Sequence, residues 1–237
     1  MRETSAILTF YTRDFGKIKG IVRGVRGSRQ QSGGAAYEIC ALDEIVFYER
    51  RKSEVFTVSQ CDLVEFFAPV RESLERLAYA AYMAELLDSV TALSDKNGDV
   101  FELTLNSLRL LAGESSAKRV TRIFEIKLLH LLGIMPTLAF CSGCGKKIDA
   151  GGARFSLRHG GLICKNCLDT DRQAFPVLAG TVNFIEHIRN SPFEKVARVK
   201  VAAQVGRELE SILRKFLDYH IERRLRTVEF LKEIEKA

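Results

Sequence analysis

Cys141-Ser-Gly-Cys144 and Cys164-Lys-Asn-Cys167 are two Cys-x-x-Cys pairs separated by 19 residues. Two residues between thiols let one tight turn aim both sulfurs at one ion, and two such turns complete a tetrahedron. The spacing therefore predicts a structural zinc site with four cysteine ligands. Because a zinc ion held by four thiolates has no open position for water or substrate, we do not expect this site to be catalytic.

The residues around the thiols favour a zinc knuckle. Gly143 and Gly145 stand where such a turn needs positive φ, and Gly160-Gly161 precedes the second pair as a hairpin turn would. Residues 153–157 are predicted to form a short strand between the pairs. Two disulfides or unpaired thiols are the alternatives, and His159 could replace one ligand, although the four cysteines suffice.

Composition sets the class and the compartment. The chain has 237 residues, of which 46% are hydrophobic, which favours two domains with substantial cores. No apolar run approaches the roughly 20 residues of a membrane span, and Met1-Arg-Glu-Thr-Ser does not open a signal peptide. Cys40 and Cys61 lie in apolar segments that resemble strands and are expected to be packing residues. We expect a cytoplasmic protein without membrane attachment.

The net charge of +6 is unevenly distributed along the chain. Residues 1–36 carry +5, residues 37–188 carry −3, residues 189–226 carry +5 and residues 227–237 carry −1. Two basic segments separated by a neutral to acidic middle favour a polyanion partner such as a nucleic acid. A solvated basic surface is the alternative.

The first third of the chain has the pattern of a β domain. A turn at residues 13–16 and a glycine-rich basic loop at residues 24–34 separate apolar segments. The predicted strands are residues 5–12, 17–23, 37–49 and 54–61. Several short strands with turn signals indicate a small barrel or sandwich.

From Leu74 onward, apolar residues recur with helical spacing. Gly133 is the expected C-cap of the helix that precedes the cysteines. The predicted helices cover residues 74–87, 105–111, 120–131 and 178–189, followed by one long helix over 194–220. We predict a multidomain α+β protein with a β domain at residues 1–68. A helical domain at residues 69–237 is interrupted by the zinc finger at residues 141–168.

The best binding candidates lie in the second predicted strand. Lys17, Lys19 and Arg23 share one strand face because alternate residues point the same way. Arg26 and Arg29 follow in the glycine-rich loop. A small β-barrel that presents basic and aromatic groups is typical of single-strand binding by OB-folds.

Phe10, Tyr11 and Phe15 are the nearby aromatic residues, and Phe10 is expected to lie in the core.

Enzyme signatures are missing: the chain has no P-loop, dinucleotide fingerprint, H-E-x-x-H or G-x-S-x-G motif. His220-Ile-Glu222 matches a fragment of the zinc deaminase signature, but it follows the cysteines when it should precede them. We therefore expect a protein that is not an enzyme.

Four segments resemble the RecO family of bacterial recombination mediators, and one of them, residues 160–167 (Gly-Gly-Leu-Ile-Cys-Lys-Asn-Cys), contains the second cysteine pair. Residues 12–26, Thr-Arg-Asp-Phe-Gly-Lys-Ile-Lys-Gly-Ile-Val-Arg-Gly-Val-Arg, are similar to the family's T-x-x-x-G-K-x-x-x-x-x-[KR]-G run. Residues 82–86 match Y-x-x-E-L. Residues 124–136 match F-E-x-x-L-L-x-x-x-G-x-x-P directly before the cysteines. The resemblance covers nearly the whole chain in the right order.

This resemblance implies an N-terminal OB-fold barrel, a helical domain and a zinc finger with four cysteine ligands. It implies a protein of the nucleoid that binds single- and double-stranded DNA and anneals complementary strands. Its implied partners are RecR and the C-terminal tail of single-strand-binding protein (SSB), and it would help RecA indirectly to load on SSB-coated DNA. By matching positions, the DNA contacts would be Lys17, Lys19, Arg23 and Arg26, and the zinc ligands would be Cys141, Cys144, Cys164 and Cys167.

One departure from the family concerns the start of the chain. Members usually begin with a further strand about 10–15 residues before the segment corresponding to Thr4-Ser5. Either the start of this chain is misassigned or its barrel lacks the first strand, which would expose a sheet edge.

The rival hypotheses are a zinc-ribbon protein of transcription or translation that binds RNA or a polymerase, and an enzyme with an unrecognised active site.

Overall fold

Four strands form an open mixed sheet in the first part of the chain. The computed structural model describes residues 5–23, 38–48, 54–113, 116–148, 152–196, 199–221 and 223–235. The strands are β1 (Ala6–Thr12), β2 (Gly16–Val22), β3 (Leu42–Tyr48) and β4 (Val55–Glu65), in the order β1-β2-β4-β3. The β1/β2 and β3/β4 pairs are antiparallel, and β2 pairs with β4 in parallel.

The two faces of this sheet differ in burial. One face carries an apolar cluster of Val22, Val58 and Cys61, against which Leu8, Phe10, Ile45 and Phe47 pack. The predictions that Phe10 and Cys61 are packing residues are confirmed. Cys40 lies in a turn before β3 with a φ of 60°, and its thiol donates to the carbonyl of Ala80.

The described strands do not close into a barrel. Within this sheet, β1 pairs only with β2 and β3 pairs only with β4, so both are edge strands. A closed barrel would need hydrogen bonds between the two edges, and the described parts of the chain contain none. The OB-fold therefore stays a prediction, as does the missing first strand.

Helices α1 (Ala68–Arg71), α2 (Leu74–Val90), α3 (Gly98–Ala112) and α8 (Thr227–Ile234) group with this sheet by their contacts. Two of them begin at polar caps: the side chain of Ser73 accepts a hydrogen bond from Arg76 N, and Asn97 Oδ1 accepts one from Val100 N at 3.1 Å. Such caps satisfy backbone donors that the first turn leaves free.

The second group of elements contains the cysteines. Helix α4 (Ala117–Leu131) leads into this group, whose other helices are α5 (Ala179–Asn190), α6 (Phe193–Val196) and α7 (Ala203–His220). Its small sheet has β5 (Arg154–Ser156) between β6 (Gly161–Ile163) and β7 (Phe175–Pro176), and a 3-10 helix covers Lys165–Thr170.

Helix α4 ends where the sequence predicts. Gly133 has a φ of 70°, its N–H donates to His130 O, and Ile134 N donates to Leu129 O. These two bonds form a Schellman motif, which needs a left-handed residue and therefore favours glycine.

The prediction of one helix over 194–220 is wrong. Helix α6 ends at Val196 and α7 begins at Ala203, and residues 199–202 between them are not helical. β-branched Val199 and Val201 lose side-chain freedom in a helix, which weakens the tendency to continue one here.

By contacts, the chain divides into one unit of residues 1–117 and 225–237 and a second unit of residues 118–224. Helices α1–α3 belong with the N-terminal sheet in this division. The predicted domains 1–68 and 69–237 stay a prediction. Among the described residues, no helix is long and apolar enough to cross a membrane.

Candidate metal centre and nucleic-acid surface

Four thiols converge in the second unit. The Sγ atoms of Cys141, Cys144, Cys164 and Cys167 all lie within 4.8 Å of one another, and none is in a disulfide. Cys141 and Cys144 lie in a turn framed by a bridge between Phe140 and Lys147, whereas Cys164 and Cys167 follow β6 at the start of the 3-10 helix. The alternative of two disulfides is therefore wrong.

Backbone hydrogen bonds hold the first turn in shape. Cys141 N donates to Lys146 O and Gly145 N donates to Cys141 O, each at 2.8 Å. Gly145 has positive φ as predicted, whereas Gly143 does not; a side chain at Gly143 would crowd Cys167. The two glycines thus serve the turn for different reasons.

The second pair is joined to the first through β6. Ser142 N donates to Leu162 O at 2.8 Å, and the backbone of Gly161 lies so close to Thr137 that a Cβ would meet its carbonyl oxygen at 2.3 Å. The two turns therefore form one rigid unit, here called the knuckle (residues 137–148 and 161–170).

The thiols have unequal acidities. Burial raises the pKa of Cys141, but hydrogen bonds from the backbone of Cys164, Cys144 and Gly143 outweigh it and lower that pKa to about 6. Hydrogen bonding with Cys164 is the main cause that raises the pKa of Cys167, to about 12, and desolvation and hydrogen bonds with the other two thiols raise it further. Four thiolates this close need a cation between them.

The sulfur geometry fits a zinc ion. Zn–S bonds of about 2.3 Å in a tetrahedron separate the sulfurs by about 3.8 Å, and Cys144 Sγ lies 3.8 Å from Cys164 Sγ. A backbone N–H of Cys164 donates to Cys141 Sγ at 3.3 Å, as expected for a thiolate that accepts hydrogen bonds. His159 Nε2 instead lies 3.1 Å from Thr170 Oγ1, outside the sulfur cluster.

The predicted DNA residues have different surroundings. Lys19 and Arg23 are exposed, whereas the side chain of Lys17 is only 11% exposed. Lys17 Nζ donates to Asp88 O at 2.6 Å and lies 3.3 Å from Asp88 Oδ1. Its ammonium group is already used inside the first unit, which disfavours it as a phosphate contact. Arg26 and Arg29 lie outside the described residues.

The strand start at Lys17 is fixed by the segment between α2 and α3. Ser94 N donates to Lys17 O at 2.8 Å, and Lys17 and Leu93 form a parallel bridge. Two exposed ion pairs, Arg13 with Glu102 and Lys96 with Asp14, flank this contact. The turn before β2 is thereby held against the helices, and Lys19 projects from an anchored strand.

Lys19 belongs to an open sheet face that sequence reasoning described incompletely. Paired residues on neighbouring strands point to the same side of a sheet, and the register places Lys19 with Thr9, Ile21 with Thr57, and Thr57 with Tyr48. Tyr48 is 61% exposed on this face. The sequence signal for this face was the alternation of side chains along β3, in which Glu44, Val46 and Tyr48 are all exposed.

Among the aromatic residues predicted near the basic strand, Phe15 is exposed. Its ring meets the edge of Phe47 at a centroid distance of 5.1 Å. The ring is therefore partly engaged by packing, which makes Tyr48 the freer aromatic platform.

Comparison with known proteins covers both halves of the chain. The family model described as Recombination protein O N terminal matches residues 1–67, and that described as Recombination protein O C terminal matches residues 71–229. The DNA repair protein RecO of Pelotomaculum thermopropionicum is 37% identical over 235 residues, which cover 99% of this chain and 90% of the relative. That of Desulforamulus reducens is 33% identical over 237 residues, covering 100% and 91%.

Proposed function

This chain belongs to the RecO family of DNA repair proteins, and we propose that it is a non-enzymatic recombination mediator that binds and anneals single-stranded DNA. The observation that carries the proposal is the match of both family models, in order, over residues 1–67 and 71–229. The proposal includes that the N-terminal sheet binds single strands in the manner of an OB-fold.

The DNA surface that we propose is the open sheet face. Lys19 would contact phosphate from an anchored strand, Arg23 would extend the contact past the end of β2, and Tyr48 would offer its ring to an unpaired base. Arg26 and Arg29 would add charge from the glycine-rich loop. Lys17 would support this face through Asp88 instead of touching DNA.

Annealing then follows from charge neutralisation. Two complementary strands repel each other through their phosphates, and basic side chains that bind both lower this repulsion and raise the local concentration of each strand. No step requires a nucleotide or a chemical intermediate, which agrees with a protein that is not an enzyme.

The metal in this proposal is structural zinc held by the four cysteines. When bound, it would supply charge neutralisation for the thiolates and a covalent-like link between the two turns. The protein would work in the cytoplasm on the nucleoid. Its partners would be single- and double-stranded DNA, RecR, the SSB C-terminal tail and, indirectly, RecA.

Annealing of SSB-coated complementary strands tests this function. The wild type should anneal them with a steep dependence on salt, because each phosphate contact releases counterions. Lys19→Ala/Arg23→Ala should anneal more slowly and with a shallower salt dependence, whereas Glu72→Ala, an exposed change after α1, should not alter it. Absence of annealing by the wild type, or preference for RNA over DNA, would contradict the proposal.

A further inference from the structure

The knuckle presents an aromatic ring to solvent beside several cations. Phe140 is 52% exposed, although Phe124, Phe155 and Phe216 of the same unit are nearly fully buried. Phe140 pairs with Lys147 in an antiparallel bridge, so the two side chains leave the hairpin on the same face. The backbone of the cysteine turn therefore places the Phe140 ring and the Lys147 side chain on one face of the hairpin.

Further lysines surround this pair. Lys146 and Lys147 follow the first cysteine pair, Lys165 follows Cys164, and all three are exposed. Within the described parts of the chain, none of the three forms an ion pair. Each is within three residues of a cysteine whose sulfur lies within 4.8 Å of the others, so their backbones are concentrated on one small, rigid support.

The need to balance the negative charge of a metal-bound cysteine site does not account for this whole surface. A dication on four thiolates leaves a formal charge of −2, and two cations would balance it. The third lysine of the knuckle is balanced by exposed Asp169, so charge balance accounts for the lysines, but an exposed phenylalanine has no part in it. A lone exposed apolar side chain is ordinary. An exposed ring on the same hairpin face as an exposed lysine has the two components of a base-stacking contact: a π face and a phosphate-binding cation.

We propose that the knuckle is a second single-stranded DNA contact, in which Phe140 stacks on an unpaired base and Lys146, Lys147 and Lys165 bind the adjacent phosphates. A single strand fits better than a duplex because the faces of paired bases are covered by their neighbours. An acidic protein segment would use the cations, but it has no base to stack on the Phe140 ring. This inference rests on the proposed DNA-binding function and extends it to the second unit.

Binding of fluorescent oligo(dT) to the full-length, zinc-loaded protein tests the inference. Phe140→Leu should weaken binding by roughly 5- to 150-fold, the range for loss of one base–aromatic stack, and should leave duplex binding unchanged. Lys146→Ala/Lys147→Ala should lower the slope of log affinity against log salt by about 1.4, as expected for two phosphate contacts on a single strand. Phe230→Leu is the matched control, since Phe230 is exposed on α8 between Glu229 and Glu233.

Two further measurements keep the outcomes distinct. The zinc content of each variant should equal that of the wild type, and photo-crosslinking of wild-type protein to iodouracil DNA should label a peptide that contains Phe140. Wild-type binding that Phe140→Leu does not weaken, or crosslinks confined to the N-terminal sheet, would overturn the inference and leave the proposed function standing. A wild type that does not bind single strands would overturn both.

Discussion

The carboxylate of Glu85 in α2 caps the N-terminus of α8 by accepting hydrogen bonds from the backbone N–H of Thr227. One oxygen accepts from Arg226 N and the other from Thr227 N, each at 2.9 Å, and Thr227 Oγ1 also donates to it at 2.6 Å. Helix α8 has no side-chain cap of its own. A residue 142 positions away thus satisfies the donors that the first turn leaves free.

The same arrangement occurs in the second unit. Helix α5 also lacks a side-chain cap from its N-cap residue, and Glu208 in α7 accepts hydrogen bonds from Leu178 N and from the hydroxyl of Thr181. Each unit therefore uses a glutamate of one helix to fix the start of another. In the Y-x-x-E-L motif at residues 82–86, the glutamate is explained by this capping role.

Loss of the Glu85 cap should release α8. Glu85→Ala leaves two backbone donors without their carboxylate, and we expect the free energy of unfolding to fall by about 1–3 kcal/mol. Hydrogen exchange of residues 227–234 should accelerate more than that of α3, which urea unfolding and exchange mass spectrometry would measure. Glu75→Ala, an exposed position in the first turn of α2, is the control. Equal protection of α8 in both variants would contradict the capping role.

A buried ion pair in α4 makes a second prediction. Arg122 Nη1 lies 2.7 and 3.0 Å from the two carboxylate oxygens of Glu125, whose side chain is 0% exposed. Glu125→Gln leaves a guanidinium group in the core without this carboxylate, so stability should fall by about 3–5 kcal/mol. Urea unfolding followed by circular dichroism measures the change.

Two controls separate burial from charge. Asp218→Asn in the more exposed pair with Arg214 should cost no more than about 0.5 kcal/mol. Arg122→Met/Glu125→Leu removes both charges and should be more stable than Glu125→Gln, because neither charge of this pair is then left buried without the other. A double variant that is less stable than the single one would show that the pair contributes net stability.

The third prediction separates Lys17 from Lys19, which sequence reasoning treats alike. Lys17→Met removes the contacts with Asp88 and should lower the free energy of unfolding by about 1–3 kcal/mol, with affinity for single-stranded DNA within twofold of the wild type. Lys19→Met should do the reverse: stability within about 0.5 kcal/mol of the wild type and weaker, less salt-dependent DNA binding. Chemical unfolding and fluorescence anisotropy measure the two quantities. A large loss of affinity in a stable Lys17→Met variant would restore Lys17 as a DNA contact.

Local patterns predicted much of the fold. The strands on both sides of the turn at residues 13–16, the Schellman end at Gly133 and the meeting of four cysteines all depend on residues close together in sequence. What the sequence could not reveal depends on distant partners. Lys17 has strand periodicity like Lys19, but Asp88, 71 residues away, decides that it is buried. The helix end at Val196 was missed because the helical spacing of apolar residues continues beyond it, although α6 ends there and α7 begins only at Ala203.

The last prediction concerns the four cysteines as a structural staple. Cys144→Ser should lower the bound zinc and destabilise the second unit by several kcal/mol, since structural zinc contributes about 10 kcal/mol or more to the folding of zinc-finger peptides. Metal analysis, thermal unfolding and hydrogen exchange of β5 and β6 would measure the loss, and a strong chelator should have the same effect on the wild type. Cys40→Ala, outside the sulfur cluster, should keep its zinc. DNA handling should suffer only as far as the knuckle unfolds, because the four thiols converge on one another whereas Phe140 and the lysines are exposed to solvent. A Cys144→Ser protein that stays fully folded but selectively loses DNA binding would contradict a structural role.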